Sequence, residues 1–210
     1  IASWPDVNIR KESMGYSKEK DTIQFQMFKK IEDDFDLIIN DDGSGEAADI
    51  VALKLVDDEI LLSLIHCKFS VKDEPGARLK DLYDVCGQAQ RSIKWKHLGM
   101  NYLYHRIKHR EGLWKKKGYS RFLKGNMKDL VNFRNRARTT KLKLGVTIVQ
   151  PGISSDKITD DMLKLLGSTA LYIKKTTEAD LAVQISKSSK NCREPHSHRS
   201  YYNNVFSINS

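Results

Sequence analysis

The chain has few of the residues that cross-link a protein or bind structural zinc. Only three cysteines, Cys67, Cys86 and Cys192, occur among 210 residues, which is too few for a disulfide framework. Such thiols are typical of a reducing compartment, and we expect a cytoplasmic protein. Cys192 lies near His196 and His198 in the polar tail. One cysteine with two closely spaced histidines lacks the paired ligand spacing of a zinc site.

Long apolar runs and nucleotide-binding motifs are also missing. No segment approaches the roughly 18 apolar residues that a membrane-spanning helix requires, and no signal peptide is visible. We therefore expect no membrane partner. The sequence contains no G-x-S-x-G elbow, P-loop or dinucleotide fingerprint. Serine-hydrolase, ATPase and dehydrogenase activities thus have no support.

Length and composition favour a single domain. A chain of 210 residues with 40% hydrophobic content can bury one substantial core. We predict core segments at about 20–96 and 141–188, a basic insertion at about 97–140, and a polar tail at 189–210. The chain starts at Ile1 rather than methionine, so we expect further domains upstream of it.

Two β-rich runs, at 48–56 and 60–69, predict an antiparallel hairpin around the polar pair Asp57 and Asp58. With the turn centred between these aspartates, every apolar side chain of one face meets an apolar partner. The predicted pairs are Leu55 with Ile60, Leu53 with Leu62, and Val51 with Leu64.

The same register places Asp49 opposite His66, and Lys68 lies two residues further along the same face. Directly opposed Cβ atoms lie about 5 Å apart, so these three side chains are expected to converge at one end of an apolar sheet. Hydrolysis of a phosphodiester needs a divalent cation held by acids, an activated water and a fixed positive charge. The arrangement therefore predicts a nuclease active site beside the loop at Gly43 to Gly45.

The elements run from a helix and a strand to an Asp-bearing strand, a strand that ends in His66-Cys67-Lys68, and a second helix. This order resembles that of the PD-(D/E)xK nuclease superfamily. The resemblance covers about residues 20–95 and continues through the strand at 142–150. It implies an α/β, restriction-endonuclease-like fold, a central mixed β-sheet flanked by helices, here with a basic helical insertion. It also implies that Asp49 holds Mg²⁺ or Mn²⁺ and that Lys68 orients or activates the attacking water.

The helix DLYDVCGQAQRS resembles one that carries a glutamine in RecB-type members, which assigns Gln88 to the catalytic set. His66 departs from the superfamily, which usually has Glu, Asp or Gln at this position. Three roles for His66 are open: a metal ligand that favours Mn²⁺ over Mg²⁺, a base that deprotonates water, or a position in a site that only binds. Glu46, three residues before Asp49, is a candidate for the missing carboxylate ligand.

Positive charge is concentrated in one quarter of a chain whose net charge is +9. Residues 91–143 contain 17 Lys and Arg against two acids. Aromatic residues are interleaved with them: Trp95, Tyr102, Tyr104, Trp114, Tyr119, Phe122 and Phe133. Such a segment is typical of nucleic-acid contact, because cations release counterions from phosphates and rings stack on bases. Alternatively, the rings pack the segment onto the body and the lysines keep it soluble. Candidate DNA-binding residues are Lys94, Lys96, Arg106, Lys108, Arg110, Lys115, Lys116, Lys117, Arg121, Arg134, Arg136 and Arg138.

Further elements follow from apolar periodicity and turn residues. We predict helices at about 21–33, 79–96 and 156–166, with Ser154 or Ser155 as the cap and Gly167 as the end of the last one. We predict strands at 35–40, 142–150 and 168–174, and a short helix at 178–188.

We therefore expect a metal-dependent DNA nuclease, an endonuclease that is a module of a larger helicase-like defence or repair protein. Two alternatives remain. One is a catalytically inactive nucleic-acid-binding domain of the same fold, and the other is a scaffolding domain whose basic segment binds an acidic protein. Nothing in the sequence identifies a dimer face.

Overall fold

A computed structural model of the chain describes residues 2–187, which form an α/β structure with a six-stranded mixed sheet flanked by five helices. The strands are β1 (Leu37–Asn40), β2 (Ile50–Val56), β3 (Glu59–Cys67), β4 (Phe122–Lys124), β5 (Lys141–Ser154) and β6 (Leu181–Ser186). The helices are α1 (Ile23–Ile31), α2 (Leu79–Arg91), α3 (Lys94–Lys115), α4 (Met127–Arg136) and α5 (Asp160–Thr177). The strand order is β4-β1-β2-β3-β5-β6.

The β2–β3 hairpin has the predicted register. Leu55 pairs with Ile60, Leu53 with Leu62, and Val51 with Leu64. Asp57 and Asp58 form the turn with φ angles of 47° and 60°. Two successive positive φ angles are typical of the tight turn that matches the twist of a hairpin, and aspartate tolerates them better than most residues.

The sheet is antiparallel on one side and parallel on the other. β1 pairs antiparallel with β2 and with β4, whereas β5 runs parallel to β3 and to β6. The predicted position of the strand at 142–150 beside the hairpin is thus confirmed. Because β3 and β5 are central, their apolar residues are covered on both faces.

Each face of the sheet has its own core. Val51, Leu62 and Leu64 belong to the larger core, which includes residues of α2, α3, α4 and α5. Ile65 and Cys67, on the opposite face, pack with residues of α1 and with Met14 of the N-terminal segment. One face of the β2–β3 hairpin therefore packs against α1, and the other packs against α2 to α5.

Three predictions for the C-terminal part are wrong. The helix expected at 156–166, with Ser154 or Ser155 as its cap and Gly167 as its end, is α5 at Asp160–Thr177; Thr159 caps it by accepting a bond from Met162 N, and it continues past Gly167. The segment 168–174, which was expected to be a strand, therefore belongs to α5. Buried residues recur along α5 at helical spacing: Met162, Leu166, Thr169, Ile173 and Thr177. The segment expected to be a helix at 178–188 forms β6, where the apolar residues Leu181, Val183 and Ile185 alternate along the strand and are buried. Residue 188 and the tail with Cys192, His196 and His198 lie outside the described residues.

The basic region consists of α3, β4 and α4. The helix predicted for 79–96 ends at Arg91, and α3 begins at Lys94. Gly99 interrupts α3 with φ 71° and ψ 176°, so the helix changes direction there. Within residues 2–187, no helix is long and apolar enough to cross a bilayer.

Candidate active site

Three carboxylates come together in the loop between β1 and β2. Asp42, Glu46 and Asp49 each offer an oxygen within 4.8 Å of the others. Gly43 N donates to Glu46 Oε2 at 2.8 Å, which folds the loop back on itself. Gly43 and Gly45 have φ angles of 106° and 77°, which favour glycine. The loop thus brings carboxylate oxygens, the ligand type that hard divalent cations prefer, close together.

Asp49 is buried at the centre of this group. Gln24 Nε2 of α1 donates to its Oδ1 at 2.9 Å, and Cys67 N donates to its Oδ2 at 2.8 Å. Burial raises the pKa of Asp49 well above its ordinary value, and the nearby carboxylate of Glu46 raises it further. A cation at this position would relieve both effects, because it favours the charged carboxylates.

A fourth carboxylate, that of Glu12, lies next to the group. Phe69 N donates to Glu12 Oε2 at 2.8 Å, and Lys68 Nζ lies 3.9 Å from the same oxygen. Burial raises the pKa of Glu12, while the Phe69 amide and Lys68 lower it. The cation of Lys68 is therefore held at the edge of the acidic group through Glu12.

The loop itself is clamped by two buried arginines. Arg110 Nε donates to Asp41 Oδ1 at 2.5 Å, and its Nη atoms donate to the carbonyl oxygens of Asp41 and Ser44, each at 2.6 Å. Arg121 Nη1 donates to the carbonyl oxygens of Asn40 at 3.0 Å and Asp42 at 3.1 Å. These bonds satisfy loop carbonyls that would otherwise be buried without partners. The positions of Asp42 and Glu46 thus depend on α3 and on the residue before β4.

A cavity of about 410 Å³ adjoins the acidic group. Residues 43–47, His66 and Gln88 line it. Three cations complete its wall: Arg91, Lys94 and Arg106. Glu46 therefore belongs both to the carboxylate group and to the wall of a positively charged cavity.

His66 has a different environment from that expected. Its Nε2 lies 2.6 Å from Ser92 Oγ, and among residues 2–187 its buried Nδ1 has no hydrogen-bond partner. Burial lowers the pKa of His66 to about 3, and the charge of Arg91 acts in the same direction. The imidazole is thus neutral at neutral pH and is a weaker base than ordinary histidine.

Asp49, His66 and Lys68 have separate partners rather than one shared point. The alternation assumed from the sequence stops at Ile50, where β2 begins. Asp49 precedes the strand and turns toward Gln24, whereas His66 is directed toward Ser92 after α2. In the described part of the chain, the group of possible metal ligands consists of Asp42, Glu46 and Asp49, without His66.

Gln88, which the sequence analysis placed in the catalytic set, lines the cavity together with His66. Its buried Oε1 has no hydrogen-bond partner within the described residues. An unsatisfied buried oxygen favours a ligand or water that donates to it.

The predicted DNA-binding residues have different surroundings. Arg110 and Arg121 are buried in the clamp, and Lys96 Nζ donates to Leu142 O at 2.7 Å. The guanidinium groups of Arg106 and Arg134 lie 5.6 Å from the Trp95 ring centroid and 4.3 Å from that of Tyr104. The other candidates are exposed: Lys94, Lys108, Lys115, Lys116, Lys117, Arg136 and Arg138.

Several residues of the site were missed. Asp42 was open to prediction, since it is the second residue of the acidic motif DDGSGEAAD and lies four residues before Glu46. Arg91 lies within the helix motif that contains Gln88, three residues after it. Gln24 and Glu12 carry no local signal, because only the tertiary fold brings them to Asp49 and Lys68.

The chain matches no protein-family model, no curated protein and no solved structure. The candidate site therefore rests on the geometry of this molecule alone.

Proposed function

We propose that the protein is a divalent-metal-dependent deoxyribonuclease with a restriction-endonuclease-like fold. The observation that carries the proposal is that Glu46 belongs both to the acidic group and to the lining of the cationic cavity. Its carboxylate lies within 4.8 Å of the ligand oxygens of Asp42 and Asp49, and it also lines the cationic cavity. A cation on the acids and a phosphate on the arginines would then be direct neighbours, as hydrolysis of a phosphodiester requires.

Asp42, Glu46 and Asp49 would hold the cation, Mg²⁺ or Mn²⁺. All three supply oxygen, which both ions accept, and the absence of a nitrogen ligand removes the reason to favour Mn²⁺ that His66 gave. When bound, such an ion polarises the phosphoryl oxygen and lowers the pKa of a coordinated water.

The chain's own side chains complete the mechanism. Arg91, Lys94 and Arg106 bind the phosphate and stabilise the negative charge that grows on its oxygens during attack. Lys68, held by Glu12 at the edge of the acidic group, orients the attacking water. Gln88 Oε1 accepts a hydrogen bond from that water or from the substrate. His66 supports the cavity wall as a neutral group.

DNA is the proposed substrate because exposed cations extend from the cavity along α3 and into α4. Their charge would release counterions from several phosphates, so affinity should fall steeply with salt. We also propose that the chain works as a module of a larger helicase-like defence or repair protein.

The test is cleavage of supercoiled plasmid and of single-stranded circles with Mg²⁺ or Mn²⁺. Circular substrates have no ends, so any cleavage of them is endonucleolytic. We expect Asp49→Asn and Glu46→Gln each to reduce cleavage by at least about 100-fold, because each removes one charged ligand without changing its shape. Asp161→Asn, on the exposed face of α5, is the matched control and should cleave normally. Metal-dependent cleavage that survives in both site variants would refute the proposal.

A second function, a nucleic-acid-binding domain without activity, is favoured by one observation. Both oxygens of Asp49 already accept hydrogen bonds from the protein, and His66 packs against Ser92. Salt-sensitive DNA binding without cleavage in either metal would support this function. Binding with a shallow salt dependence would instead favour the scaffolding domain with an acidic protein partner.

A further inference from the structure

Three aromatic rings form a group beside the acidic loop. The ring centroid of Tyr16 lies 4.6 Å from that of Trp114 and 5.0 Å from that of Tyr119. Trp114 is buried, whereas Tyr16 and Tyr119 keep 38% and 46% of their surface exposed. The tryptophan thus fixes the base of the group, and the two tyrosines present ring surface to solvent. We call these three residues the aromatic platform.

Cations surround the aromatic platform. Lys117 Nζ lies 5.0 Å from the Tyr16 ring centroid and donates to its hydroxyl at 2.9 Å. Arg121 Cζ lies 4.2 Å from the Trp114 ring centroid. Lys116 and Lys117 are exposed and form no ion pair with a carboxylate within residues 2–187. Their charge is therefore available to an anionic partner.

The platform and the acidic group are joined through Asp42. The hydroxyl of Ser13, three residues before Tyr16, donates to the carboxylate of Asp42, and the Ser13 oxygen also accepts from Gly15 N at 3.1 Å. Arg121 donates to the carbonyl oxygen of Asp42. The cationic cavity adjoins the same group through Glu46. The acids thus lie between a phosphate-binding cavity and an aromatic surface.

We propose that the aromatic platform binds an unpaired base of single-stranded DNA, with Lys116 and Lys117 contacting the adjacent phosphates. Exposed rings bordered by cations have the chemistry that single strands require, because every base offers a π face. Bases in a duplex are stacked on one another and do not present that face. The aromatic platform would therefore make the protein prefer single strands. The strand's continuation into the acidic group rests on the proposed nuclease function.

The experiment measures binding of a fluorescently labelled oligonucleotide, as a single strand and as a duplex of the same sequence, by anisotropy in EDTA. We expect Tyr119→Ala and Tyr16→Leu each to weaken single-strand binding roughly fivefold or more, because loss of one stacked base costs about 1–3 kcal/mol. Duplex binding should change by less than about twofold, since it lacks this contact.

Matched variants separate stacking from folding and charge. Tyr119→Phe and Tyr16→Phe keep the rings and should keep single-strand affinity close to wild type. Tyr172→Ala removes an equally exposed tyrosine from α5 and should change neither affinity. In addition, 2-aminopurine in the oligonucleotide should be quenched on binding, and Tyr119→Ala should reduce that quenching.

Two results would overturn the proposal. One is an equal loss of affinity for the single strand and for the duplex, and the other is unchanged single-strand affinity in both Tyr119→Ala and Tyr16→Leu. Because binding is measured without metal, the result does not depend on cleavage. A protein that prefers single strands through Tyr119 but cleaves nothing would refute the nuclease proposal alone. If the protein cleaves DNA but its affinity for single strands does not change when Tyr16 or Tyr119 is replaced, only the proposal of base binding by the aromatic platform would be refuted.

Discussion

Gln24 and Asp49 are hydrogen-bonded to each other in the interior, with Nε2 donating to Oδ1 at 2.9 Å. The Oε1 atom of Gln24 accepts from Met14 N at 3.0 Å, so this one side chain joins α1, the N-terminal segment and the acidic group. Gln24 is fully buried. The position of the central carboxylate is therefore set from the face of the sheet opposite to the cationic cavity.

Replacement of this glutamine should destabilise the fold. Gln24→Leu leaves Met14 N and Asp49 Oδ1 buried without their partners, and each loss of this kind costs about 1–3 kcal/mol. Because two such losses occur, we expect the free energy of unfolding to decrease by about 2–6 kcal/mol, measured by urea denaturation. Gln26→Leu on the same helix is the control, because Gln26 Nε2 donates to the exposed carbonyl oxygen of Lys20. Equal effects of the two variants would contradict the central role of Gln24.

The arginine clamp gives a second prediction. Arg110→Met leaves the carboxylate of Asp41 buried without its main partner, and breaking a buried pair in this way costs about 3–5 kcal/mol. Lys108→Met, an exposed position on the same helix, should change the free energy of unfolding by less than about 0.5 kcal/mol. Asp41→Asn should recover part of the loss in the Arg110→Met background. Additive effects in this double-mutant cycle would show that the two residues are independent.

The acidic group predicts how pH and metal affect stability. Burial raises the pKa values of Asp49, Glu46 and Glu12 above their ordinary values of 3.8 for Asp and 4.5 for Glu. Their contribution to stability without metal is therefore present below those ordinary values, and it is lost as pH rises through the raised ones. A bound cation requires the deprotonated acids, so Mn²⁺ should raise Tm more at about pH 8 than at about pH 5.

Asp49→Asn is the variant that checks the pH prediction. It removes the most perturbed carboxylate, so the increase in Tm with Mn²⁺ should become smaller and less dependent on pH. Thermal denaturation with and without the ion, across the same pH range, provides the measurement. A Tm increase that is the same at both ends of the range would contradict the prediction.

His66 predicts a separate loss of stability in acid. Its folded pKa of about 3 lies below the ordinary value of 6.5, so its contribution is fully present above 6.5 and is lost as pH falls toward 3. We expect His66→Gln, whose amide keeps a polar contact with Ser92, to lose less free energy of unfolding between about pH 7 and about pH 4. The difference should reach about 3 kcal/mol. Parallel pH curves for the variant and the wild type would exclude a perturbed His66.

The sequence specified the hairpin because its signals are local. Alternating apolar residues and the Asp57–Asp58 turn determine one register, and the structure has that register. The strand predicted at 168–174 is wrong because β-favouring residues there suggested a strand. The helical spacing of the apolar residues becomes clear only over all 18 residues of α5. The secondary structure of this segment is therefore set by apolar periodicity over a long stretch, rather than by the β-propensity of a few residues.

The candidate site was only partly open to prediction. Asp49, Glu46, Lys68 and Gln88 lie at the same end of the sheet as expected, because strand order and helix position follow from the sequence. The direction of the Asp49 side chain did not follow, since alternation holds only within a strand and β2 begins at Ile50. The roles of Gln24 and Arg110 depend on contacts between segments far apart in the chain.

The parallel pairing of β3 with β5 joins Glu59 to Lys141, with α2, α3, β4 and α4 in between. Closing so large a segment is costly in entropy, so this pairing should form late in folding. During synthesis the hairpin leaves the ribosome well before the arginines at 110 and 121 that hold the acidic loop. The nascent chain therefore carries its carboxylates for some time without the clamp that brings them together, and the proposed metal site would be complete only after α3 and β4 have been made.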